Sequence, residues 1–301
     1  MKNIKVLMLA VAGVFALGLS SCVNDLDVTP IDPNVQLPQD VLKDEAAFEA
    51  LLAKCYQGLA CSSSDGADGG PDISGVDGGF GQYLRAYFNL QCLTTDEATC
   101  CWNDTGLPDM HNMNWQASNQ FIVAMYYRIF YQISLCNEFI RQVNTNPAGV
   151  VFQNKGALIA EALALRAMLH FDMMRLYGPP AWADAQAKAK VIPYVTKYAF
   201  DITPFSSYED VYKYIIADLE EAEKCLAADA TLLPAVRTNA ADGFTSCRII
   251  HMNLYAVQAL LARVYWYKGD LSKASEYAYK VIESGKFSFR PREAFIQSDN
   301  G

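Results

Sequence analysis

Residues 247–289, CRIIHMNLYAVQALLARVYWYKGDLSKASEYAYKVIESGKFSF, constrain the fold of this chain more than any other stretch. They read as two amphipathic helices turned back on each other at Lys268-Gly269-Asp270. On the first, Leu254, Val257, Leu261, Val264 and Tyr265 recur at helical spacing and make one apolar face. On the second, Leu271, Ala274, Tyr277, Ala278, Val281 and Ile282 do the same. Ala262 and Ala274 are small enough to let two backbones approach, and Gly269 takes the turn that a Cβ would strain.

Leu261-Ala262, Tyr265, Gly269-Asp270, Ala274 and Tyr277 fall at the spacing of a tetratricopeptide repeat. One such hairpin cannot bury its own face, so it needs stacked neighbours. The rest of the chain offers them. Asp44 to Leu59 carries Phe48, Leu51, Leu52, Tyr56 and Leu59 on one side, and residues 83–94 form a short apolar helix. Ser118 or Asn119 caps an aromatic-rich helix that runs to about Val143, with Phe121, Tyr126, Tyr127, Phe130, Tyr131 and Phe139 mostly in the core. A long helix from about Gly156 to Tyr177 stops at Gly178-Pro179-Pro180. Ser207 and Asp210 then open another helix as N-cap and N3. No convincing strand pair interrupts the series. The expected fold is all-α, a tetratricopeptide-like helical-repeat (α-α superhelix) scaffold with long irregular loops.

The N-terminus is a processing signal. Lys2 and Lys5 precede an apolar run from Val6 to Leu19, too short to span a bilayer comfortably. It ends in Leu19-Ser20-Ser21-Cys22, the bacterial lipoprotein pattern, in which the Cys22 thiol is acylated and becomes the new N-terminus. Acyl chains, at ~0.8 kcal/mol per buried CH₂, would hold the chain on a membrane. The expected organisation is a signal peptide over 1–21, a proline-containing tether over 22–40 and a helical body over 41–301.

Composition narrows the partners. With 24 Lys+Arg against 33 Asp+Glu, the net charge of −9 gives nucleic acid no basic patch to bind. Beyond Cys22 there are eight cysteines, at 55, 61, 92, 100, 101, 136, 225 and 247. Export permits disulfides, but eight thiols allow 105 pairings, and buried free thiols are an equal alternative. None forms a CxxC pair, which argues against zinc. In the glycine-rich loop 62–81, Asp65, Asp68, Asp72 and Asp77 offer calcium ligands, but not at EF-hand spacing, and a solvated loop is the preferred reading. His111, His170 and His251 are scattered and form no HExxH; His170 reads as a core or surface histidine. There is no GxSxG, Walker A or GxGxxG sequence, and no separated carboxylate pair of glycosidase type. No catalytic constellation is present.

Several motifs together resemble the SusD/RagB family. They are the Leu-Ser-Ser-Cys lipobox, Leu26-Asp27-Val28-Thr29-Pro30, the helix from Glu161 through Arg166, Phe171, Arg175 and Tyr177 to Gly178, and Val211-Tyr212 through Asp218-Leu219. Ala259 through Arg263 and Tyr265 to Gly269-Asp270, then Ile282-Glu283-Ser284-Gly285, complete the series. The resemblance implies a cell-surface outer-membrane lipoprotein, a binding protein and not an enzyme. It would capture oligosaccharides or polysaccharides and deliver them to a SusC-like TonB-dependent transporter. Members are usually longer, so a further repeat and a C-terminal region that often supplies part of the glycan site are expected to be absent from this sequence. The alternative reading is a non-catalytic tetratricopeptide-type scaffold lipoprotein in envelope assembly.

Sugar recognition needs flat apolar faces for pyranose C–H groups and directional polar groups for hydroxyls. Residues 96–115 crowd Trp102, Asn103, Asp104, Asp109, His111, Asn112, Asn114 and Trp115 into a stretch without helical periodicity. In the resembling family this stretch contributes ligand-facing residues. Trp102 is assigned as a stacking platform, with packing of the loop as its alternative, and Asn103 and Asp104 as hydrogen-bonding partners. Tyr83 and Arg85 lie close enough in sequence to join them. Trp115 and Trp182 are expected to pack, and Trp266 to lie in the core or on a transporter-facing surface.

Overall fold

The computed structural model describes residues 37–60, 83–95, 106–114, 116, 118–178, 188–232, 244, 248–289 and 291–293. The chain divides into two units, Met1–Val41 and Leu42–Gly301. The described part of the first is a one-turn helix, α1 (Pro38–Val41). All that follows concerns the second.

Helices α2 (Glu45–Ala60), α3 (Tyr83–Thr94), α4 (Gly106–His111), α5 (Gln120–Thr145) and α6 (Lys155–Tyr177) come first. A short ribbon, β1 (Lys190–Pro193) with β2 (Phe205–Ser207), leads into α7 (Tyr208–Cys225), α8 (Asp229–Leu232), a 3-10 turn over Arg248–Ile250, α9 (Leu254–Lys268) and α10 (Leu271–Glu283). The fold is the helical-repeat class read from the sequence. The antiparallel strand pair, with Ile192 opposite Ser206, was not legible there. At four and three residues the strands are too short to show a period. They are held by burial of Val191 and Ile192, and they deliver Ser207 to the start of α7.

Local signals set the helix ends. Asn119 accepts the Phe121 N–H at 3.0 Å and caps α5, while Ser207 accepts the Asp210 N–H at 3.1 Å and caps α7. Asn253 and Asp270 do the same for α9 and α10. Gly269, at φ 87°, makes the left-handed turn between the hairpin helices. The α6 N-cap, Asn154, makes no side-chain capping bond. Instead Glu45, in the first turn of α2, accepts the Gln153 and Asn154 N–H groups at 2.8 and 2.7 Å.

Helix α6 is the central element. It packs against α2, α5, α7 and α9 and buries residues on every side, including Glu161, Arg166, His170 and Asp172. Buried charge must be paired and hydrogen-bonded, as Glu161, Arg166 and Asp172 are, while His170 is hydrogen-bonded as a neutral ring. Arg248 reaches Asp229 through Nε and Nη2, both at 2.9 Å, and Glu161 through Nη1. Glu161 also accepts the Tyr56 hydroxyl and the His251 Nδ1–H. This cluster holds the segment before α9 onto α2 and α6. His170 is a core histidine, donating from Nδ1 to the Arg166 carbonyl at 2.9 Å and accepting the Val195 N–H at Nε2, also at 2.9 Å.

The terminal hairpin departs from its expected burial. Of the apolar face assigned to α10, only Ala274 and Tyr277 are buried, whereas Leu271 and Ile282 are 64% and 56% exposed. The two buried residues face α9. Leu271 and Ile282 flank that contact, and no described element covers them. Trp266 lies on the surface rather than in the core, at 67% exposure.

Candidate ligand site

The site is built where α3 ends and α4 begins. On α3, Tyr83, Ala86, Leu90 and Leu93 recur every three or four residues and are buried. Tyr83 donates its hydroxyl to Asp172, and Tyr87 accepts a hydrogen bond from Arg175 Nη2 at 2.7 Å. Arg175 in turn bonds Asp172 at 3.2 Å, and its guanidinium lies 5.3–6.0 Å from the centres of the Tyr87, Phe171 and Tyr267 rings. These contacts fix the inner face of α3 to α6. The opposite face shows Leu84, Phe88 and Gln91 to solvent, with Phe88 63% exposed.

Helix α4 is tied back to α3. His111 Nδ1 bonds the Leu93 carbonyl at 3.0 Å, which joins the end of α4 to the end of α3. After α4 the chain turns through Met113 at φ 55°, and the Asn114 backbone N–H and side-chain amide both bond Asp109, at 2.7 and 3.1 Å. Asn114 Oδ1 accepts from Gln116 at 2.9 Å. Three polar groups of the crowded stretch 96–115, Asp109, His111 and Asn114, are therefore committed to hydrogen bonds within the fold.

Where α3, α4, α5 and α6 meet is a recess of about 310 Å³ lined by Leu90, Gln91, Thr94, Met110, Ile122, Leu176 and Tyr177. Its lining is mainly apolar. Tyr177 donates to the Ile122 carbonyl at 2.7 Å, and burial pushes its phenol well above the usual range, so it stays neutral. Thr94 donates back to the Leu90 carbonyl at 3.0 Å, which leaves its oxygen able to accept. The Gln91 amide makes no hydrogen bond among the described residues. A mainly apolar lining with a few polar groups is the usual make-up of a small-molecule site.

A second recess, about 440 Å³, is lined by Glu49, Leu52, Ala53, Tyr56, Phe244, Ile250 and His251. The Tyr56 hydroxyl and His251 Nδ1 point inward to Glu161, so its polar groups serve the core first.

Of the residues assigned from sequence, Trp102, Asn103, Asp104 and Cys22 lie outside the described residues, as do Trp115, Trp182 and the four aspartates of the calcium reading. Arg85 is on α3, and its side chain lies outside the described residues. Tyr83 is corrected: it is 1% exposed, with its hydroxyl bound to Asp172, so it offers a ligand neither face nor free hydroxyl. Sequence reasoning missed Phe88, Gln91, Leu176 and Tyr177. The first two follow from the face of α3 opposite Tyr83, Ala86, Leu90 and Leu93; the last two are made adjacent to α3 by packing alone. Among the described residues no group of three or more His, Cys, Asp or Glu is placed to hold a metal ion. No described helix is long and apolar enough to cross a membrane.

The family model described as starch-binding associating with outer membrane matches residues 86–266, more than half of the chain. The chain belongs to the SusD-like family. It is 30% identical over 276 residues to the starch-binding protein SusD of Bacteroides thetaiotaomicron, covering 91% of this chain and 44% of that protein. It is 28% identical over 219 residues to a SusD-like protein of Bacteroides ovatus, covering 67% of this chain and 36% of that one. The chain thus spans less than half the length of both relatives. Among solved structures, a SusD superfamily protein from Bacteroides vulgatus aligns with TM-score 0.63 at 22% identity, over 85% of this chain and 51% of that one. Surface glycan-binding protein A from Bacteroides fluxus aligns with TM-score 0.58 at 22% identity, over 85% and 47%. At these identities the structures bear on the fold, which they share.

Proposed function

We propose that this SusD-like chain is a non-catalytic, cell-surface lipoprotein that captures oligosaccharides and passes them to a SusC-like TonB-dependent transporter. In this reading Cys22 carries the acyl anchor to the outer membrane. Trp102 stacks on a sugar ring, Asn103, Asp104 and Arg85 bond its hydroxyls, and Phe88 and Gln91 extend the same surface along α3. The observation that carries the reading is the apolar recess between α3, α4, α5 and α6, with the Gln91 amide in its lining and unpaired among the described residues, in a chain that belongs to a family described as starch-binding. Similarity to a protein named for starch binding makes starch the first polysaccharide to try.

The test is native affinity electrophoresis of the full chain carrying Cys22→Ser, through gels containing starch and a panel of plant and host polysaccharides. Retardation by one polysaccharide, lost in Trp102→Ala with an unchanged circular dichroism spectrum, supports the reading. A folded chain that no polysaccharide retards would favour the envelope scaffold instead. Co-purification of the acylated chain with a TonB-dependent barrel tests delivery separately.

A further inference from the structure

In the second recess a buried carboxylate fixes a histidine. Glu161 is fully buried and can only accept, so its 2.9 Å contact with His251 puts the ring proton on Nδ1. Glu161 is itself held by Arg248 and Tyr56, which leaves the imidazole one orientation and one tautomer. In the neutral ring Nε2 then carries a lone pair, and it has no partner among the described residues. With Nδ1 turned into the core, the edge that carries Nε2 is the one left for the recess, where the His251 side chain is 25% exposed.

Helix α2 supplies a second wall. Glu49, Leu52, Ala53 and Tyr56 recur at i, i+3, i+4 and i+7, so they share one face of the helix. The Tyr56 hydroxyl is spent, since it donates to Glu161 and accepts the Met252 N–H at 2.9 Å. Glu49 makes no hydrogen bond or ion pair among the described residues. Burial, and then the charges of Glu45 and Asp44, raise its carboxyl above the ordinary value, and no cation is among these influences. The buried Arg248 does not serve it, being shared between Glu161 and Asp229. The His251 ring lies 5.4 Å from that of Tyr56 and 5.7 Å from that of Phe244, both edge to face.

We propose that this recess binds a small organic cation, a primary ammonium carried on an apolar body. The free polar groups of the described lining, His251 Nε2 and the Glu49 carboxylate, are acceptors, and an ammonium donates to both. The aromatic rings add attraction for positive charge. Leu52, Ala53 and Ile250 receive the apolar body, and about 440 Å³ is ample for one small molecule. A neutral ligand would leave the Glu49 charge as unmatched as before, and an anion would be repelled by Glu49, Glu45 and Asp44. The lining shares no residue with the recess beside α3, so the site does not depend on the glycan reading.

The experiment titrates the full chain carrying Cys22→Ser with phenethylamine at about pH 8, above the ordinary imidazole range. The ring signals of its three histidines are followed by NMR, and His251→Gln assigns those of His251. The expected result is a saturable shift of the His251 signals, with His111 and His170 unmoved. Phenethyl alcohol has the same body without the charge and should bind at least about tenfold more weakly, and Glu49→Gln should weaken the amine by about the same factor. Glu49 bonds nothing described in the fold, so this variant should keep the circular dichroism spectrum of the parent. The proposal is overturned if folded protein shows no saturable shift, or if another histidine responds in place of His251. Equal affinity for amine and alcohol, or for Glu49→Gln and its parent, overturns it as well, because the recess would then take apolar bodies without regard to charge.

Discussion

Arg166 holds Asp218 with two parallel hydrogen bonds, from Nε and Nη2, both 2.8 Å long. The pair ties the middle of α6 to the middle of α7. Asn137 Oδ1 accepts from Nη1 at 2.9 Å and brings in α5, while the Tyr194 hydroxyl donates to Asp218 at 2.6 Å and brings in the ribbon. With side chains only 8% and 14% exposed, the pair has little solvent to fall back on. Removing one partner strands a buried charge, so Asp218→Asn is expected to cost about 3–5 kcal/mol in urea unfolding. Arg166→Met with Asp218→Leu removes both charges together and should recover much of that loss. A double variant no more stable than Asp218→Asn would mean that the pair itself contributes the stability.

Between α2 and α5 a polar side chain is buried over a glycine. Gln132 is fully buried beneath Gly58, and among the described residues neither its amide nitrogen nor its amide oxygen finds a partner. An unsatisfied buried amide costs roughly 1–3 kcal/mol. Gln132→Met keeps the length and loses the polar atoms, and should raise the unfolding midpoint. Gly58→Ala should lower stability by about 1–3 kcal/mol through overpacking. A Gln132→Met protein less stable than wild type would show that the amide is bonded in solution.

Most of the helical framework could be read from the sequence because its signals are local. Ser207, Asn119 and Gly269 each govern a helix end within a few residues of themselves. The buried charges could not be read in this way. Glu161 meets Arg248, and Arg166 meets Asp218, across 87 and 52 residues of sequence, and nothing near either residue specifies its partner. The same limit applies to the site. The inward turn of Tyr83 depends on Asp172, which lies 89 residues away.

Acid should destabilise this core through His170. Its two ring nitrogens donate to one backbone group and accept from another, an arrangement that requires the neutral ring. Burial pushes its pKa down to about 3 from the ordinary 6.5. Between these values the unfolded chain binds a proton that the folded chain refuses, so stability rises with pH across this window. The contribution is complete above about pH 6.5 and is lost toward pH 3, at about 1.4 kcal/mol per unit. Asp172 acts in the opposite sense, since burial raises its carboxyl, and it offsets part of the slope at the acid end. Comparison with His170→Asn isolates the histidine: the advantage of wild type should shrink steadily below pH 6.5. A constant difference from pH 7 to pH 4.5 would refute this account.

The corrected role of Tyr83 and the new assignment of Phe88 separate in one set of variants. Both are aromatic residues on α3, five positions apart and on opposite faces. Phe88 is exposed, so Phe88→Ala should change stability by no more than about 0.5 kcal/mol. If its ring lies under a sugar, the same change should weaken binding to the retarding polysaccharide on the order of tenfold, equivalent to 1.4 kcal/mol. Gln91→Ala should weaken binding less, by the roughly 0.5–1.5 kcal/mol of one hydrogen bond. Tyr83→Phe should do the reverse. It removes the donor to Asp172, costs about 1–3 kcal/mol of stability, and leaves affinity unchanged in the protein that remains folded. Affinity gels and thermal melts on the three proteins read both quantities. Loss of binding in Tyr83→Phe at full stability would return Tyr83 to the ligand site and remove Phe88 from it.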